Sequence, residues 1–183
     1  MKSLLAAFIF ISSILATPQI VHAQGEEPHM PSTLREGLLA RFDESSGKIL
    51  QLAEAIPADK YRWRPGPEVR TVSEVLVHVA AGNYYILEGA GVRPPVKVRD
   101  DEETTTTAKP QVIDFLKRSH QYMRQVLSGL RDPDLTRPAT MFEQKTTVGN
   151  VYLFGVAHLH EHMGQLVSYA RLNGVVPPWS VKK

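Results

Sequence analysis

Apolar residues recur every three or four positions in four stretches of this 183-residue chain, the period of an amphipathic helix. The first stretch begins at Thr33, with Glu36 three residues on, which is the pattern of a capping box. Leu34, Leu38, Phe42, Ile49, Ala53 and Ile56 continue it until Pro57 ends the helix. Ser45, Ser46 and Gly47 weaken its middle. The second stretch begins at Thr71, again with a matching Glu74, and Val72, Val75, Leu76, Val79, Ile86 and Leu87 form its apolar side up to Gly89–Gly91. The third lies near 108–130, with Val112, Phe115, Leu116, Met123, Val126, Leu127 and Leu130 facing inward. The fourth runs from about Thr147 to Asn173 and Gly174, where Gly174 suits the helix end and Pro177-Pro178 forbid continuation. At 1.5 Å per residue it is about 40 Å long. No stretch alternates at period two. The pattern predicts an all-α fold, a single-domain four-helix bundle over residues 32–180.

Two connections are unusual. Residues 57–70, "PADKYRWRPGPEVR", are rich in proline and aromatics, and residues 91–107, "GVRPPVKVRDDEETTTT", are long and polar. Long structureless connections inside a domain are commonly functional or serve as crossovers. A crossover at 91–107 would let the second and third helices run parallel.

The first 23 residues read differently. Lys2, an apolar run from Leu4 to about Ala16, and Val21-His22-Ala23 make the layout of a secretory signal peptide. The run is well short of the ~20 residues a membrane span needs. Cleavage is expected after Ala23, leaving a polar tail, residues 24–31, and a periplasmic or secreted protein with no membrane attachment. The chain has no cysteine, which removes disulfides, thiolate ligands and a lipid anchor. Any metal must be held by histidine and carboxylate. A formal net charge of +2 provides no basic stripe, and nucleic-acid binding has no electrostatic support.

Three of the seven histidines fall in "AHLHEHMGQL", residues 157–166. Residues four apart share a helix face, so His158 and His162 point together, while His160 lies about 200° around from His158. Val148, Tyr152, Gly155, Leu159, Leu166 and Tyr169 mark the buried stripe, and the pair borders it. Gly155, one turn earlier, would leave room beside the pair. Two imidazoles clamp an ion weakly and need a third ligand. His78, in the middle of the second helix near Val75 and Val79, is the candidate. His120, between Ser119 and Gln121, reads as lying on a more polar face. Against the metal stands a plainer reading, in which the pair are ordinary polar residues of a helical core.

"TVSEVLVHVA", then "HLHEHMGQL" some 80 positions later, and a closing "RLNGVVPPWS" resemble the DinB-like metal-binding four-helix bundles. The likeness spans about 57–180, with H-x-x-x-H-x-G-Q its most specific part and "WRPGPEVRTVSEVLVH" in support. It implies an up-down-down-up bundle with one divalent ion held by His78, His158 and His162. It is also similar to thiol S-transferases and isomerases that use cytosolic low-molecular-weight thiols, a setting from which the leader sets this chain apart.

Three neutral imidazoles leave an ion its full charge and open positions. Such a site lowers the pKa of bound water or polarises a bound carbonyl. Zinc suits imidazole and open geometry best; nickel, iron and manganese accept the same ligands. The paired Glu-x-x-His motifs of di-iron bundles are missing; Glu26-x-x-His29 fits the string but falls in the tail. Around the ligands, Gln165 reads as a donor to bound water or substrate or as a helix–helix hydrogen bond. Glu74 reads as a partner for His78 or simply as the cap. Tyr85 reads as pocket lining or core, Glu161 as facing away, and Trp63 and Arg64 as groups at the pocket mouth or, more simply, Trp63 as a surface aromatic that staples the loop. The expected function is that of a mononuclear metal-dependent hydrolase or transferase acting on a small molecule. A non-catalytic metal-binding bundle and an unmetallated bundle that associates through its faces are the alternatives. Homodimerisation through a helix face is compatible with either.

Overall fold

Each of the first two long helices begins where its capping residues place it. In this computed structural model, which describes residues 30–181, α1 spans Leu34–Ala55 and α2 spans Val72–Gly89. The Thr33 hydroxyl accepts from the Glu36 N–H while the Glu36 carboxylate accepts from the Thr33 N–H, and Thr71 and Glu74 repeat the exchange at α2. These bonds satisfy N–H groups that the first helical turn leaves over. The Ser45–Gly47 stretch does not break α1. Ser45 is buried, and its hydroxyl donates back to the Arg41 carbonyl at 2.8 Å. The signal-peptide reading of residues 1–23 and most of the tail lie outside the described residues.

A single-turn helix α3 follows at Glu102–Thr105, then α4 at Lys109–Gly129. Strands β1, Pro138–Met141, and β2, Gln144–Thr147, pair antiparallel, with Met141 opposite Gln144. Helix α5, Val148–Leu172, completes the bundle. No described helix is long and apolar enough to cross a membrane.

The contacts set the directions of the four long helices. Tyr61, just after α1, donates to the Ala53 carbonyl, and the Ser73 N–H at the start of α2 donates to the Tyr61 carbonyl. Lys109, at the start of α4, donates to the carbonyls of Glu54 and Ile56. Thus α2 and α4 both start where α1 ends. Tyr169, near the end of α5, donates to the Arg70 carbonyl beside the α2 start. The order is therefore up-down-down-up. Segment 90–108 is the crossover that returns the chain along the length of α2, and it contains α3 rather than being structureless.

The core lies between the four long helices. Ile49, Leu52, Leu76, Leu87, Leu116, Met123, Leu159 and Leu166 are fully buried within it. Each such side chain contributes about 1.5–3 kcal/mol by leaving water. Two sequence expectations need correction. His120 is not on a polar face: it is 8 % exposed, edge-on to Phe42, with Nε2 buried and unpartnered among the described residues. Burial alone lowers its pKa to about 4. Leu34, expected on the buried stripe, is 61 % exposed at the first turn of α1. The hairpin at 138–147 adds a two-stranded element that periodicity did not reveal, because strands of four residues are too short to show alternation.

Candidate metal centre

His78 sits on α2 and His158 and His162 on α5, and antiparallel packing of the two helices brings all three rings together. Nε2 of His78 lies 3.2 Å from Nε2 of His158. The His78 ring centre is 5.1 Å from that of His158 and 4.8 Å from that of His162, and the α5 pair are 4.5 Å apart. One ligand atom from each histidine lies within 4.8 Å of the others. His78 and His158 are partly buried and His162 is 8 % exposed.

Close approach of the helices depends on Gly82, one turn after His78. A Cβ there would lie 2.6 Å from Cε1 of His158, so only glycine leaves space for that ring. Gly155 does not provide room beside the pair as expected; its missing side chain accommodates Met123 and Ile86 instead.

Hydrogen bonds fix which nitrogen of two rings carries the proton. Nδ1 of His78 is 2.7 Å from Oε1 of Glu103, and a carboxylate accepts, so Nδ1 carries a hydrogen and Nε2 is the nitrogen turned towards His158. Oε2 of Glu103 accepts from Arg70 Nε at 2.7 Å. Burial acts to raise the Glu103 carboxyl, but the bonds from Arg70 and His78 outweigh it and hold it below the usual carboxylate value. For His162 the chain of bonds ends on a carbonyl. The Arg70 carbonyl can only accept, so Tyr169 donates to it at 3.1 Å. The Tyr169 oxygen then accepts from the Gln165 amide nitrogen at 3.0 Å. The Gln165 oxygen is left to accept from His162 Nδ1 at 2.9 Å, which leaves Nε2 of His162 as a lone pair. Nδ1 of His158 is buried with no partner among the described residues.

Burial, then the neighbouring His162 and His78, lowers the His158 pKa to about 4. His162 is lowered too, by burial first. Both are neutral at pH 7, the form that ligates a metal. Two nitrogens bound tetrahedrally to zinc at about 2.0–2.1 Å lie about 3.3 Å apart, close to the His78–His158 separation. With His158 and His162 uncharged, and the His78 and His162 rings held by Glu103 and Gln165, the three converging ring nitrogens fit a divalent ion.

The outer residues divide unevenly. Gln165 touches His162 directly, as an acceptor, and links it to Tyr169. Glu74 does not reach His78. Its carboxylate caps α2 and pairs with Arg64 at 3.7 Å. Glu103, which the sequence reading missed, takes the place expected of Glu74. Tyr85 is neither core nor against the rings; it is 51 % exposed. His160 turns away and bonds the Val156 carbonyl at 2.8 Å, and Glu161 is exposed. Trp63 packs edge-on against Tyr169 at 5.4 Å. An open cleft of about 580 Å³ adjoins the outer side of this network, lined by Arg64, Arg70, Glu74, Glu103 and Gln165 among others.

The family model for the DinB superfamily matches residues 41–166, a span that holds all three histidines. The chain belongs to the DinB superfamily. Solved DinB-like structures share its fold. One from Bacillus cereus is 19 % identical with a TM-score of 0.70, covering 80 % of this chain and 97 % of that one. YfiT from Bacillus subtilis, described as a probable metal-dependent hydrolase with an unusual four-helix bundle topology, is 17 % identical with a TM-score of 0.61, covering 82 % and 94 %. YjoA, a DinB-like protein also from Bacillus subtilis, is 19 % identical with a TM-score of 0.61, covering 75 % and 92 %. No curated protein sequence matches the chain. In this DinB-superfamily bundle the three histidines can hold a metal ion.

Proposed function

We propose that this protein is a mononuclear metalloenzyme, a hydrolase or transferase of a small molecule, with His78, His158 and His162 as the ligands. The observation that carries the reading is the convergence of these three imidazoles from two helices, with two proton positions fixed by Glu103 and Gln165. A bound divalent ion, with zinc favoured by the all-nitrogen donor set, would act as a Lewis acid on a substrate oxygen or thiol. The protein's own share is positional. Glu103 holds the His78 ring and is itself held by Arg70, while the Gln165–Tyr169 chain holds His162. The cleft lined by Arg64, Arg70 and Glu74 offers polar groups to a substrate beside the centre. The description of YfiT as a probable metal-dependent hydrolase supports the same reaction class. The leader pattern of residues 1–23 supports action outside the cytoplasm.

The test is the metal content of the chain from Gln24 onward, purified without a polyhistidine tag, beside a His158→Ala/His162→Ala variant. About one ion per chain, lost in the variant, is expected. A wild-type chain that carries no metal and takes up neither added zinc nor nickel overturns the proposal.

A further inference from the structure

The β1–β2 turn is made of residues that suit it poorly. Phe142 and Glu143 are its two central positions, with φ of 49° and 63°. Two-residue hairpin turns with both φ values positive favour Asn-Gly, Asp-Gly or Gly-Gly, because a side chain crowds the left-handed backbone. Phe142 is not compensated by burial, since it stays 73 % exposed. Neither local conformation nor core packing explains a phenylalanine here, and outliers of this kind concentrate at ligand sites.

Its surroundings supply the missing reason. The Phe142 ring stands edge-on to Phe154 at 5.4 Å. Phe154, on α5 one turn before His158, is 41 % exposed and lies nearly parallel to the His158 ring, at 6.3 Å and 15°. Beneath the hairpin, a cleft of about 290 Å³ is walled on its apolar side by Tyr85, Ile86, Met141 and Phe142, with Glu88 and Thr140 at its polar edge. An apolar cavity of roughly 150 Å³ accepts benzene, so this one has room for a single substituted ring. Aromatic faces and edges left exposed side by side are suited to ring stacking. The carboxylates and arginines of the larger cleft lie on the side of Glu103 and Gln165.

We propose that Phe142, Phe154 and Tyr85 form a subsite for an aromatic ring of the molecule that occupies the metal centre. The substrate is then a small molecule with a polar, metal-seeking group and an aryl substituent that reaches from the His158 side towards Phe154 and the hairpin tip. This rests on the metal reading above, and the experiment separates the two. Zinc-loaded protein is titrated by calorimetry with benzohydroxamate and acetohydroxamate, which share a metal-binding group and differ in the ring. Wild type is compared with Phe142→Asn, a residue that suits the left-handed turn and keeps the hairpin, and with Phe154→Ala.

The expected result is at least tenfold tighter binding of benzohydroxamate by wild type. That preference falls to within about twofold in Phe142→Asn and Phe154→Ala, with acetohydroxamate affinity unchanged. Equal affinities in wild type, failure of both probes to bind zinc-loaded protein, or a preference that survives both substitutions overturns the subsite. A chain that takes up no zinc removes the metal reading alone. The subsite is then tested on the metal-free chain with phenol. Shifts of the 142 and 154 amide resonances that disappear in Phe142→Asn support it, and unmoved resonances overturn it. A change of sedimentation behaviour in Phe142→Asn with ring preference intact assigns Phe142 to self-association and also overturns it.

Discussion

The distance from a Cβ on Gly82 to Cε1 of His158, 2.6 Å, is shorter than any tolerable carbon–carbon contact. The clash falls on a candidate ligand ring rather than on backbone, so Gly82→Ala is expected to be absorbed by rotation of His158. Alanine is the better helix former by about 1 kcal/mol, which opposes loss of fold. The expected outcome is at least tenfold weaker zinc binding with an unchanged far-ultraviolet circular dichroism spectrum. Competition with a chromophoric chelator measures it, and wild-type affinity would show that the glycine serves only helix packing. Glycine at this position is a permissive residue: it does no chemistry, but it decides where an imidazole can stand.

Among the connections between the long helices, α3 reaches the site directly. α3 is one turn long, yet it carries Glu103 to within 2.7 Å of His78 and presents the same carboxylate to Arg70. A carboxylate that accepts from a ligand imidazole raises its basicity and fixes its orientation, and loss of such a partner costs 10- to 100-fold in metal affinity. Glu103→Gln keeps a hydrogen-bond acceptor for His78 and removes the charge. Zinc affinity is expected to fall by about tenfold or more, with the thermal midpoint of the metal-free chain changed by only a few degrees. Retention of full affinity would mean that His78 is oriented by packing alone. The hairpin has a comparable position at the other side of His158, where its tip meets Phe154. Both elements belong to connections between long helices, where chain not committed to the core is available to form a site.

For the molecule as a whole, the buried histidines set its response to acid. His120 has a pKa of about 4 in the fold against an ordinary value of 6.5, so between these values the unfolded chain binds more protons than the folded one. Its contribution is complete above pH 6.5 and is lost as pH falls through about 4. The amount is about 3 kcal/mol at most. Urea denaturation of metal-free wild type and His120→Leu, at pH 7 and pH 4.5, measures it. Wild type is expected to lose more stability than the variant over that interval; equal losses would show that His120 stays accessible to protons. His120 lies against Phe42 in the interior and touches none of the three candidate ligands, so the comparison reads the core and not the metal centre.

The four long helices, the capped starts of the first two and the pairing of His158 with His162 could be read directly from residue spacing. These features depend on neighbours within a few positions, and helix periodicity and capping are local physics. The third histidine was a candidate for its inward place on α2, and the family resemblance marked it as a ligand. What the sequence left open depends on contacts between residues far apart in the chain. Glu103 lies 25 positions from His78, and Arg70 lies 99 positions from Tyr169. His120 reads as polar from Ser119 and Gln121 beside it, yet the packing of α4 against α1 buries it. Gly82 and Gly155 are indistinguishable as helix glycines until the facing helix shows which one the His158 ring fills. Residue order by itself determined the helices and the face each presents. Only the tertiary structure decided which side chains from separate elements share a proton, a cavity or a metal-sized space, because those depend on crossing helices and a crossover chain whose register no local pattern encodes.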